Sequence, residues 1–200
     1  MKKGKGLLRR PLFCLAVLAY LLAGTLAAAE PADPVLVCAG DAPVAAVSAC
    51  TAIIDHGELD GVALATIIYD RARALHHRSH WFVAIQGGES AAARDLRGAL
   101  ADYSRAVERN PTLAAAYVNR GIIHYEMGEF ALAIADYDTA ISLRPNLAEA
   151  WNNRSLARHR LGQYDLAKAD FDQTIRLNKN YGNALINREL GPFMIPFGTR

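Results

Sequence analysis

Apolar and small side chains return at helical spacing along most of the chain. Between 113 and 127, Tyr117, Gly121, His124 and Tyr125 fall three or four residues apart, and Gly128-Glu129 breaks the run. A second amphipathic stretch follows from Phe130 to Leu143. Pro145 stops it, because proline brings no N–H to the next turn. The pattern then starts again with Trp151 and Ser155, a turn at Gly162, Tyr164, and an amphipathic run over 166–177. Upstream, 97–110 repeats the second stretch, and Pro43 to Asp55 carries it once more in Ala46, Cys50 and Ile53. The predicted class is all-α, built from helix pairs.

The pairs are copies. Setting 114–147 above 148–181, an offset of 34, gives 13 identities, among them Asn119/Asn153, Arg120/Arg154, Gly128/Gly162, Ala133/Ala167, Asp136/Asp170 and Leu143/Leu177. Unrelated segments share only a few, so this is a duplication. A shorter copy lies one period earlier, where Ala99, Asp102, Tyr103, Ala106 and Pro111 match Ala133, Asp136, Tyr137, Ala140 and Pro145. Small residues at Gly121/Ser155, Ala133/Ala167 and Ala140/Thr174 let two helices approach, and Tyr117/Trp151 and Tyr137/Phe171 fill the space between them. One pair cannot bury such a face alone, so the units must stack.

A 34-residue unit with an aromatic near its start (Trp151), a small residue four on (Ser155), Ala167, Phe171 and a loop proline (Pro145) resembles the tetratricopeptide repeat (TPR). That resemblance implies a right-handed superhelical stack of antiparallel helix pairs, here short and irregular at both ends. The expected organisation is a cap over 30–61, a degenerate repeat over 62–112, two good units over 113–181 (114–147 and 148–181), and a partial repeat helix with an apolar tail over 182–200. In the degenerate unit Ile68-Tyr69-Asp70-Arg71-Ala72 resembles Tyr117-Val118-Asn119-Arg120-Gly121. An insert at about 81–94 then intervenes, read as a loop or short accessory helix around Gly87-Gly88. The tail, Gly191 to Phe197, would fold over the open edge, dock on a partner or seal a homo-oligomer.

The family's fold also implies a concave face lined by first helices that holds a peptide or partner helix. Its positions here would be Ala115, Val118, Asn119, Ile122, Tyr125 and Glu126 in one unit, and Glu149, Asn152, Asn153, Leu156, His159 and Arg160 in the next. Asn119, Asn153 and Asn187 recur every 34 residues, and an amide can offer both a donor and an acceptor to a peptide backbone. The competing reading is that these asparagines bond a neighbouring helix within the scaffold, and Asp70 interrupts the row. Arg71, Arg120, Arg154 and Arg188 form a second row and Asp102, Asp136 and Asp170 a third. One partly buried Arg–Asp bridge per unit is the expectation, with an anion-binding arginine row as its rival.

Charge redirects attention to the N-terminus. The chain has 22 Lys+Arg against 20 Asp+Glu, but Lys2, Lys3, Lys5, Arg9 and Arg10 all fall in the first ten residues. Without residues 1–29 the balance is 17 against 20, a net −3, which argues against a nucleic-acid partner. The cationic start, the apolar run Leu12 to Leu22 and Ala27-Ala28-Ala29 read as a signal peptide cleaved after Ala29. An uncleaved anchor is the weaker alternative, because the run falls short of the roughly 20 residues that span a bilayer. The general secretory route fits better than the twin-arginine one, and the product would be periplasmic or secreted, without stable membrane insertion. Of the three cysteines, Cys14 leaves with the signal. Cys38 and Cys50 then form an even pair whose default in an oxidising compartment is a disulfide, with a redox or metal role as the alternative.

Candidate chemistry is sparse. His76 and His80 stand at i,i+4 with His77 between them and His56 upstream, so a metal site is conceivable, but no carboxylate lies at the usual neighbouring spacing. The chain has no phosphate-binding glycine loop, no G-x-S-x-G and no H-E-x-x-H. No catalytic residue, resident metal or cofactor is therefore assigned. The expected function is an exported, non-catalytic scaffold that binds other proteins or peptides. The alternatives are a self-associating envelope protein or a metal-binding protein using His76 to His80.

Overall fold

The computed structural model describes residues 33–86 and 89–179. These form eight helices and no strand: α1 (Pro34–Cys38), α2 (Pro43–His56), α3 (Gly61–Gln86), α4 (Glu89–Arg109), α5 (Ala114–Glu126), α6 (Phe130–Leu143), α7 (Ala148–Arg160) and α8 (Tyr164–Leu177). The expected signal at 1–29, Asn187 and Arg188, the partial helix around them and the apolar tail lie outside the described residues. None of the described helices is long and apolar enough to cross a membrane.

The helices pack in sequence as pairs, α3 on α4, α5 on α6 and α7 on α8, and each pair meets the next. The turns within the two regular pairs are set by glycine. Gly128 and Gly162 hold φ of 79° and 74°, a left-handed conformation that costs a glycine little. Each closes its first helix with the same two bonds. Gly128 N–H donates to the Tyr125 carbonyl and Glu129 N–H to His124, while Gly162 and Gln163 bond His159 and Arg158 in the same way. Carbonyls that the helix end would leave unpaired are thus satisfied, and the chain reverses within three residues.

Inside each pair the core repeats with the sequence. Tyr103, Tyr137 and Phe171 stand 34 residues apart and are all buried, with Ala99, Ala133 and Ala167 buried four residues before them. Close approach is required here: a Cβ built on Gly121 would lie 2.7 Å from the Tyr137 ring. The predicted Arg–Asp bridges are also present. Arg71 grips Asp102, Arg120 grips Asp136 and Arg154 grips Asp170, each through a two-pronged fork of its Nε and Nη2 groups. The third guanidinium arm reaches back one unit, to the Thr51, Ser104 and Asp138 side-chain oxygens respectively. Each arginine therefore joins its own pair and pins that pair to the second helix before it. The three described arginines are committed to carboxylates, so they do not form an anion-binding row.

Thr51 occupies in α2 the place that Ser104 and Asp138 occupy in α4 and α6. Cys38 and Cys50 form a disulfide joining α1 to α2, and both are buried against Ile67 of α3 with Ile53, Ile54 and Leu59 around them.

One organisational expectation is corrected. Among the described residues, 81–86 and 89–94 belong to α3 and α4 and not to a loop or accessory helix: α3 and α4 extend into the insert from either side as helices of 26 and 21 residues where their counterparts have 13 and 14. The register shows how. Arg71–Asp102 spans 31 residues and Arg120–Asp136 spans 16, so the first pair holds 15 more residues between its bridge partners. Two turns further along, Arg78 and Asp95 form a second forked bridge in the same antiparallel register. Seven residues are close to two helical turns, so adding about two turns to each helix keeps the packing face in phase.

Candidate functional site

The first helices α3, α5 and α7 are held side by side, and contacts between them place the candidate residues. On α5, Asn119 is half-buried and donates an amide hydrogen to Tyr69 Oη of α3 at 3.0 Å. Asn153, its counterpart on α7, accepts from the adjacent Asn152 amide at 3.4 Å. The first member of the asparagine row is thus already engaged within the scaffold. Asp70, at the matching place on α3, pairs with Arg73 one turn on.

Three of the expected contact residues are core instead. Val118 packs with Ala133, Tyr137 and Ala150, Leu156 packs with Phe171, and Asn152 is fully buried. The physical reason lies in the neighbouring unit. Read alone, these positions sit on the outer side of a first helix, but α6 and Ala150 of α7 close over Val118, and Ala167 and Phe171 of α8 with Tyr125 of α5 close over Leu156. Ala115, Asn119, Ile122, Tyr125, Asn153 and His159 remain half-buried, and Glu126, Glu149 and Arg160 are exposed.

Electrostatics separates these further. The Glu149 carboxyl is pushed above its ordinary value by burial, although the residue as a whole keeps exposed surface. Burial also raises Asp70, with Arg73 opposing it, and raises Tyr69. His159 stacks edge-on against Tyr164, and its buried Nε2 has no hydrogen-bond partner, nor has the buried Oδ1 of Asn152. Such atoms are uncommon in folded proteins and are expected to gain from a partner.

Toward the ends of the first helices the residues are occupied. Tyr125 meets Phe130 edge to face, and the Arg160 guanidinium of α7 lies over both rings, 4.6 Å from the Phe130 centroid. Glu126 faces His76 and His80 of α3. His76 Nε2 lies 3.1 Å from Glu126 Oε2, His80 Nε2 lies 3.3 Å from Oε1, and the two Nε2 atoms are 3.2 Å apart. Burial pushes the Glu126 carboxyl up, but hydrogen bonds and charge from both imidazoles outweigh it and hold the group at about 2. The bond to Glu126, working against burial, raises His80. The carboxylate missing near His76 in the sequence is thus supplied from 50 residues downstream. The signal for it lay in the repeat itself. Aligning Arg71 with Arg120 sets His76 level with Tyr125, next to Glu126.

Comparison with known proteins fits this architecture. The family model for the tetratricopeptide repeat matches residues 114–147 and again 148–181. These two units have the sequence pattern and the fold of tetratricopeptide repeats. No curated protein matches the chain by sequence. Among solved structures, YrrB, a TPR protein with an unusual peptide-binding site, is similar with a TM-score of 0.58 and 17% identity, over 74% of this chain and 66% of its own. MamA is similar with a TM-score of 0.53 and 21% identity, over 70% and 66%. The first TPR of Spaghetti (RPAP3), bound to the HSP90 peptide SRMEEVD, gives 0.49 and 21% over 60% and 90%. At these identities the likeness concerns the TPR fold.

Proposed function

We propose that the protein is an exported, non-catalytic scaffold that binds an extended peptide or a partner helix across the TPR face formed by α3, α5 and α7. One observation carries this reading. That face holds polar groups that the scaffold leaves partly unsatisfied: the Asn153 amide and the Glu149 carboxylate, beside Asn119 with the rest of its amide. A peptide backbone presents alternating N–H and C=O groups, so amides in a row can pair with it whatever its side chains. Ile122 and Ala115 add apolar area between the polar groups. YrrB carries a peptide-binding site on the same fold, which makes peptides the class of ligand to test first. The cationic start, the apolar run Leu12 to Leu22 and the alanines before Glu30 support export to the periplasm or beyond, where a Cys38–Cys50 disulfide is at home.

The test is selection of displayed random peptides on the wild-type protein, followed by affinity measurement against variants. Asn119→Ala with Asn153→Ala should weaken a selected peptide about tenfold, as expected for two lost hydrogen bonds. Lys168→Ala on α8, away from the first helices, should leave affinity unchanged. Equal affinity for the double variant, with its helicity confirmed by circular dichroism, would refute the proposal.

A further inference from the structure

We propose that His76 and His80 of α3 and Glu126 of α5 bind a zinc ion that ties the first, lengthened helix pair to the repeat after it. Three atoms able to donate a lone pair converge from two helices, and all lie within 4.8 Å of one another. The two Nε2 atoms stand 3.2 Å apart and the carboxylate straddles them, Oε2 3.1 Å from His76 and Oε1 3.3 Å from His80, spacings of the size found between the ligands of one metal ion. Ligands about 2.0–2.1 Å from a tetrahedral zinc stand roughly 3.3 Å apart.

Hydrogen bonding alone does not account for the cluster. Each Nε2 carries at most one hydrogen. If both donate to Glu126, no hydrogen remains to bridge the two nitrogens at 3.2 Å, and their N–H groups crowd each other. If one is bare, it meets the carboxylate lone pair to lone pair. Protons can satisfy two of the three contacts, whereas a cation held between the two Nε2 atoms and the carboxylate relieves all of them. Two imidazoles and a carboxylate are donors that suit zinc, with water completing the tetrahedron.

Access and position also fit. His80 keeps 62% of its side chain exposed and Glu126 30%, so an ion can reach the site, while His76 at 11% is fixed by packing. The i,i+4 spacing on α3 puts both rings on one face without distorting the helix. The site lies where α3 begins to outrun α5, which ends at Glu126. Zinc there would anchor the base of the two extra turns.

The experiment is calorimetric titration of the purified, non-reduced protein with Zn²⁺, with Co²⁺ absorption as a readout of coordination geometry. The expected result is saturable one-to-one binding, a tetrahedral Co²⁺ spectrum, and a rise in melting temperature on adding zinc. His80→Ala and Glu126→Gln each alter a side chain with exposed surface, so both should fold. Each should weaken binding by at least the roughly tenfold that losing even an outer partner costs at metal sites, and abolish the melting shift. His77→Ala should bind as the wild type does. Absence of saturable binding, undiminished binding by His80→Ala or Glu126→Gln, or an equal loss in His77→Ala would overturn the proposal.

Discussion

Single side chains decide how closely the helices approach. The Tyr137 ring leaves no room for a Cβ at Gly121, so Gly121→Ala should destabilise the protein by about 1–3 kcal/mol, read from urea unfolding. Asp136 is nearly buried and its fork to Arg120 is mostly so, so Asp136→Ala should cost about 3 kcal/mol by stranding the guanidinium. Glu149 should behave in the opposite sense. Its folded pKa lies above the unfolded value near 4.5, so its contribution to stability is full below pH 4.5 and is lost as pH rises through the folded value. Melting curves of Glu149→Gln should therefore show a variant more stable than the wild type at pH 7, with the gain gone below pH 4.5. Legibility at this scale was uneven. The Arg–Asp bridges could be read because both partners recur with the repeat. The burial of Val118, Asn152 and Leu156 could not, because it depends on helices packed against them and not on their own spacing.

Elements were largely readable from hydrophobic spacing and punctuation. Glycine after each first helix of the regular pairs and proline after α4 and α6 mark the units, and the helices begin and end near those signals. The lengthened first pair was misread, since Gly87-Gly88 signals a turn but not how far helix extends on either side of it. What settles the matter is register: Arg78–Asp95 repeats Arg71–Asp102 two turns along. At the other end of that pair, the Cys38–Cys50 link closes a loop of 12 residues and should contribute roughly 3 kcal/mol. Hydrogen exchange before and after reduction checks this. Faster exchange should be confined to α1, α2 and the start of α3, with α5 to α8 unchanged.

In the whole molecule, each arginine grips its own pair and the second helix before it, so the stack is tied unit to unit. The first helices are left to present polar groups that the scaffold does not fully use. The most direct measurement is an amide shift map of the isotope-labelled protein titrated with a selected peptide. Binding across the first helices predicts changes centred on Asn119, Glu149, Asn153 and His159, spreading along α5 and α7 and leaving the outer residues of α6 and α8 undisturbed. Changes concentrated on α6 and α8, with Asn119 and Asn153 unmoved, would contradict it.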